Sequence, residues 1–173
     1  MTISFATKFC VIITVSRMMK KNKTGIIVST DTWALFLTVQ TELVSRMEAE
    51  LKKSKLPPLT WYDVLWALEC SPDHRLRMHE LANKVVLSRS NLTRLVDRLE
   101  RSGLVKREQS IDDKRGAHCV LKTSGLTLRK KMWPVYQKCI FALFNRHLSE
   151  KSDAKLKSVL KDVLTAIRTG ENP

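Results

Sequence analysis

The chain has 173 residues, 43% of them hydrophobic and 28% charged, which is the composition of a globular domain with room for added oligomerisation elements and not that of a disordered chain. Its formal net charge of +14 exceeds what solubility requires and points to an anionic partner, with nucleic acid ahead of a membrane surface or an acidic protein. No phosphate loop, GxSxG or HExxH motif occurs, so no enzyme class is indicated.

Residues 1–30 read as an N-terminal extension with five bases and no acid. Its apolar run FCVIITV, from Phe9 to Val15, suits a strand or a patch that packs on the body, and is too brief to span a bilayer. Arg17, Met18, Met19, Lys20 and Lys21 follow where a signal peptide would carry small residues, so a cytoplasmic protein with no membrane association is expected. The segment is either an extra dimer or DNA element, or it contributes little.

Helical spacing starts at Asp31, a plausible N-cap, and places Trp33, Phe36, Leu37, Gln40, Leu43, Val44, Met47 and Leu51 three or four residues apart. More than twenty residues is long for a small domain, and predicts a first dimerisation helix over 31–56. Residues 57–123 hold the next unit. Pro57–Pro58 breaks the chain, Thr60 caps a helix from Trp61 to about Cys70 with Asp63 three residues on, and RLRM (Arg75–Met78) suits a short strand.

HELANKV is a compact helix with Leu81, Ala82 and Val85 inward, VVLS is a tight connection, and Ser88 is a good N-cap for the helix after it. On that helix Leu95, Val96 and Leu99 lie within about 60° of Leu92. Ser90, Arg94, Asp97, Arg98 and Arg101 fall on the far side, and Gly103 ends the helix. LVKREQS and AHCVLKTS read as strands around the polar tip IDDKRG. Residues 74–121 carry eleven bases against six acids.

Helical spacing resumes at Ser124, with a kink or break expected near Met132 and Trp133 because Pro134 lies inside the pattern. A last helix, about Glu150–Arg168, has Leu156, Val159, Leu160, Val163, Leu164 and Ile167 on one side. Such stripes need cover, and pairing residues 124–170 and the first helix with those of a second subunit supplies it. The fold class is mainly α with a small β-wing: a winged helix-turn-helix with N- and C-terminal dimerisation helices.

A two-helix unit presents its second helix to the major groove of double-stranded DNA. Arg89 and Arg94 have paired donors for guanine edges, Asn91 suits adenine, and Ser88, Ser90 and Thr93 suit phosphates. Arg98 and Arg101 meet phosphates or internal carboxylates such as Asp97. In the wing, Arg115 suits a narrow minor groove and Lys114 a phosphate, while Asp113 orients Arg115 or pairs with a neighbouring arginine. Asp112 is open between turn and surface roles.

The helix ELANKV, the connection VLSRS, the run LTRLVDRLERSGLVKRE, the wing D-x-R at Asp113–Arg115 and the return CVLKTSG together resemble the MarR family of bacterial transcription regulators, over about Asp31–Ile167. The resemblance implies a triangular homodimer on a pseudo-palindromic operator, with recognition helices in the major groove and wings in the minor groove. Most such regulators repress. It implies base-reading positions at Ser88, Arg89, Ser90, Asn91, Thr93 and Arg94, with Arg115 in the wing. Lys122 departs from the family's usual threonine and alters the start of the helix that follows.

The family's members often release DNA when small aromatic or phenolic ligands bind. Trp33, Trp61, Tyr62, Trp66 and Trp133 suit such a cavity, or they are ordinary packing. Cys10, Cys70, Cys119 and Cys139 sit in no activating motif, and His74, His79, His118 and His147 lack ligand spacing, so neither metal nor other cofactor is expected. The competing readings are a non-specific nucleoid-type DNA binder and a winged-helix protein adaptor.

Overall fold

The computed structural model describes residues 30–85, 87–109 and 117–170, the side chains of Thr30 and Arg89 excepted. The N-terminal extension and the tip residues Asp112, Asp113, Lys114 and Arg115 lie outside the described residues. Helix α1 spans Thr30–Lys53. It starts a residue early, so Asp31 is not the cap but lies in the first turn, where a carboxylate complements the unpaired amides. The chain divides after Ala49 into two compact units.

The second unit begins with the end of α1 and continues into α2, Leu59–Glu69. Here the expected Thr60 cap does not form. Pro58 takes the N-cap with φ −56° and ψ 154°, no side chain caps the helix, and the Pro58 carbonyl accepts from Trp61 N–H at 2.9 Å. The proline ring already holds the extended entry geometry, and Thr60 is drawn into the first turn. A 3₁₀ turn at Pro72–His74 leads to strand β1, Arg75–Arg77, and to α3, Met78–Lys84.

Helix α4, Arg89–Arg101, follows the tight connection, with Ser88 at its N-cap. Strands β2, Val105–Gln109, and β3, Ala117–Leu121, pair antiparallel with Val105 opposite Leu121 and Gln109 opposite Ala117. β1 joins on the other side of β3, Leu76 opposite Cys119, giving the order β1-β3-β2. The core lies where α2, α3, α4 and this sheet converge. Val64, Leu65, Leu68, Leu81, Leu92, Leu95, Val96, Leu99, Val105 and Cys119 are all essentially removed from solvent. The alternation along β3, with Cys119 and Leu121 buried, is the period of a strand with one face on a core.

Helix α5, Thr123–Leu143, continues through Pro134, so of the kink or break expected near Met132 and Trp133 no break occurs. One missing amide costs one intrahelical bond, and the helix is held on either side of it by buried Met132 and Cys139. It starts at Thr123, one residue before the expected Ser124, with Lys122 at the N-cap and no side-chain cap bond. Helix α6, Glu150–Thr169, is closed by a Ser149–Ser152 capping box and a left-handed Gly170 at φ 71°. Val159, Leu160, Val163, Leu164 and Ile167 on α6 are exposed in the single chain, as are Trp33, Phe36, Leu37 and Val44 on α1.

Gly125 seats α5 against the wing. A Cβ there would lie 2.3 Å from the Leu104 carbonyl oxygen and 2.8 Å from Leu121 Cδ1. A backbone carbonyl cannot swing aside as a side-chain end can, so Gly125→Ala is expected to cost about 1–3 kcal/mol through overpacking. Urea denaturation of the variant beside the parent chain checks this, and equal midpoints would show that the contact relaxes freely.

Candidate nucleic-acid interface

The helix-turn-helix is built by short-range bonds. Glu80, three residues into α3, accepts the Arg77 backbone amide at 2.8 Å and ties the start of that helix to β1. The connection closes with Leu87 N–H on the Val85 carbonyl at 2.9 Å, and the Ser88 hydroxyl accepts from Asn91 N–H at 3.4 Å. Such a cap removes an orphan donor at the end that approaches an anion. At the other end, Gly103 at φ 70° donates to Glu100 O, and Leu104 N–H donates to Leu99 O, the paired bonds of a Schellman motif.

The two faces of α4 separate as the spacing predicts. Leu92, Leu95, Val96 and Leu99 are each no more than 1% exposed. Ser88, Ser90, Asn91, Thr93, Arg94 and Arg98 are exposed on one continuous surface with Arg101. Arg89 belongs to the first turn of the same helix, its side chain outside the described residues. Arg94, Arg98 and Arg101 line an open groove of about 560 Å³ together with Asn91, Thr60 and the carboxylate-bearing Asp97. Thr60 is a groove residue that the sequence suggested only as a cap. Three guanidiniums beside the first turn of α2 make a surface suited to an anionic backbone.

Arg107 on β2 is the organising residue that sequence reasoning did not single out. Its Nη1 lies 2.5 Å from Asp97 Oδ1 and 3.3 Å from Glu100 Oε2, and Nη2 donates to the Thr93 carbonyl at 3.4 Å. Its backbone N–H donates to Glu100 Oε1 at 2.8 Å. The carboxylate of Asp97 is therefore taken by the wing strand. Arg101 Nε donates to the Asp97 backbone carbonyl at 3.3 Å. Next along the strand, Lys106 lies 2.5 Å from Glu108 and holds its carboxyl below the usual range.

Of the aromatic residues, Trp61 packs partly buried on the core. Tyr62, Trp66 and Trp133 gather with Tyr136, which the sequence did not suggest: Tyr62 stacks on Trp66 at 6.3 Å and on Trp133 at 6.2 Å, and meets Tyr136 edge-on at 4.9 Å. Trp33 stacks on Phe36 within α1 at 6.0 Å. Among the described residues no group of three or more His, Cys, Asp or Glu is placed to hold a metal ion, and no helix is long and apolar enough to cross a membrane.

Two expectations follow from this geometry. Arg107→Met leaves Asp97 and Glu100 without their shared cation and frees β2 from α4. A loss of about 1–2 kcal/mol in urea denaturation is expected, smaller at high salt because the pairs are partly exposed. Burial pushes the Cys119 thiol up to about 12, the reverse of an activated thiolate, whereas Cys70 is exposed. Iodoacetamide at pH 8 should therefore modify Cys70 in the folded protein and spare Cys119, read by peptide mass; labelling of Cys119 without denaturant would contradict its burial.

The MarR family model matches residues 58–116. The HTH-type transcriptional regulator SarZ of Staphylococcus saprophyticus is 30% identical over 121 residues, covering 70% of this chain and 80% of that protein. The transcriptional repressor MprA of Escherichia coli K12 is 26% identical over 133 residues, covering 77% of this chain and 74% of that protein. Among solved structures, Sco3205, a MarR family transcriptional regulator from Streptomyces coelicolor in complex with DNA, is 28% identical with a TM-score of 0.73, covering 77% of this chain and 83% of that one. With the capped recognition helix, the wing strands and the flanking helices all in place, this chain belongs to the MarR family of transcriptional regulators.

Proposed function

We propose that the protein is a cytoplasmic homodimeric repressor that binds a pseudo-palindromic operator and acts by binding, without catalysis. The observation that carries this reading is α4 itself, with a capped N-terminus, one edge sunk in the core and Arg94, Arg98 and Asn91 on the opposite, exposed edge. Within this reading Ser88, Arg89, Ser90, Asn91, Thr93 and Arg94 face the major groove and Arg98 a phosphate. Lys114 and Arg115 reach the backbone and minor groove from the wing, with Asp113 orienting the arginine. Residues 57–123 form the reading head, and 31–56 and 124–170 the dimerisation helices. Their exposed apolar stripes on α1 and α6 are the surfaces a second copy covers.

Release by a small aromatic or phenolic ligand is a second element of the proposal. It is supported by Trp66 and Trp133, which remain 45% and 36% exposed at the edge of the aromatic cluster with Tyr62. Trp61 and Trp33 complete the candidate set.

Binding-site selection from random and genomic DNA tests the proposal. A shared inverted repeat is expected, and Arg94→Ala should weaken binding to it by roughly ten- to a hundredfold, the equivalent of one lost bidentate base contact. Arg115→Ala should weaken it as well. Weak, salt-governed binding with no sequence preference would indicate a nucleoid-type binder instead, and failure to retard DNA would indicate a protein adaptor.

A further inference from the structure

Glu69 closes α2, and Arg129 lies in the second turn of α5, sixty residues further along the chain. Arg129 Nη2 donates to Glu69 Oε1, and its Nε lies in ion-pair contact with Glu69 Oε2 without the alignment of a second hydrogen bond. Their side chains are 10% and 19% exposed, whereas the other ion pairs among the described residues have partners 29–72% exposed. The guanidinium also lies over the Trp66 ring, 5.1 Å from its centroid, and Tyr62 stands beside it. Burial pushes the Tyr62 phenol up, and the neighbouring arginine draws it partly back. The hydrogen bond to Glu69 and the Trp66 ring together restrict where the guanidinium can lie.

A buried pair of this kind adds little net stability, because desolvation offsets its attraction, and apolar residues of similar size often serve as well. Its distinguishing property is directional. It joins the helix that opens the reading head to the helix that leaves the wing for the C-terminal stripe. With 21 residues, α5 is a lever roughly 30 Å long. A tilt of roughly 10° at its base moves its far end by about 5 Å, more than the 3.4 Å rise of one base pair.

We propose that Glu69 and Arg129 are positioning residues whose nearly buried ion pair sets the tilt of α5 on the reading head, and so sets the half-site spacing that the dimer accepts. The inference rests on the homodimer-and-operator reading and adds to it the residues that determine spacing. Neither residue touches DNA in this scheme; the recognition helix keeps its base preference whatever the pair does.

The experiment measures affinity of the full chain for its selected inverted repeat, and for versions with one base pair inserted or deleted between the half-sites. The parent chain should discriminate sharply, by about tenfold or more per base pair. Glu69→Leu with Arg129→Met should keep the thermal midpoint and the base preference within each half-site, yet bind the three spacings within about threefold of one another. Arg129→Lys retains the charge and loses the planar guanidinium, and should flatten the profile in the same direction, which covers the case in which the double variant does not fold. A flattened profile with unchanged half-site preference supports the lock. A sharp parental profile preserved in the folded variants overturns it and leaves the operator reading standing. A parent chain with no preferred repeat overturns the operator reading and this inference with it.

Discussion

The turn at Gly103–Leu104 is the constraint on which the rest of the reading head depends. Gly103 takes a left-handed conformation at φ 70°, which reverses the chain out of α4 and satisfies two of that helix's last carbonyls. Leu104 then serves three elements. Its N–H closes α4 on Leu99, its carbonyl accepts the Lys122 amide at 3.0 Å, and that same carbonyl lies against the bare Cα of Gly125. The Ser124 hydroxyl adds a 2.6 Å bond to the Gly103 carbonyl. Recognition helix, wing and α5 therefore diverge from one point, and their directions are coupled there.

Around that point, charge performs two separate tasks. Arg107 spends its donors inside the head, on Asp97, Glu100 and the Thr93 carbonyl, and so draws the wing strand against the recognition helix. With Asp97 occupied by the wing, Arg94, Arg98 and Arg101 line the groove as a cationic surface beside Asn91 and Thr60. An acid within a basic helix is thus a structural anchor, and the net positive surface survives its presence. Arg129 works on the opposite side of α2, where the aromatic cluster and Glu69 hold it nearly dry.

The local features were readable in advance because each is encoded within a few residues. Leu92, Leu95, Val96 and Leu99 repeat with the period of a helix, and their burial obliges Arg94 and Arg98 to face outward. Ser88 and Gly103 bracket the same helix for reasons of capping alone. Where local reasoning failed, at the start of α2, a neighbouring residue supplied the same need by other means: Pro58 preset the entry that Thr60 was expected to cap.

By itself, then, the sequence determined the order of helices and strands, the inner and outer faces of the recognition helix, the ends of that helix and the basic character of its surface. These follow from side-chain period, turn chemistry and charge, none of which needs a distant partner. Only the tertiary structure decided that Asp97 belongs to Arg107, that Thr60 borders the arginine groove, that Tyr136 completes the cluster of Tyr62 and Trp133, and that Glu69 meets Arg129. Those pairings depend on which faces of separate elements come to oppose one another, and no periodicity within one segment carries that information.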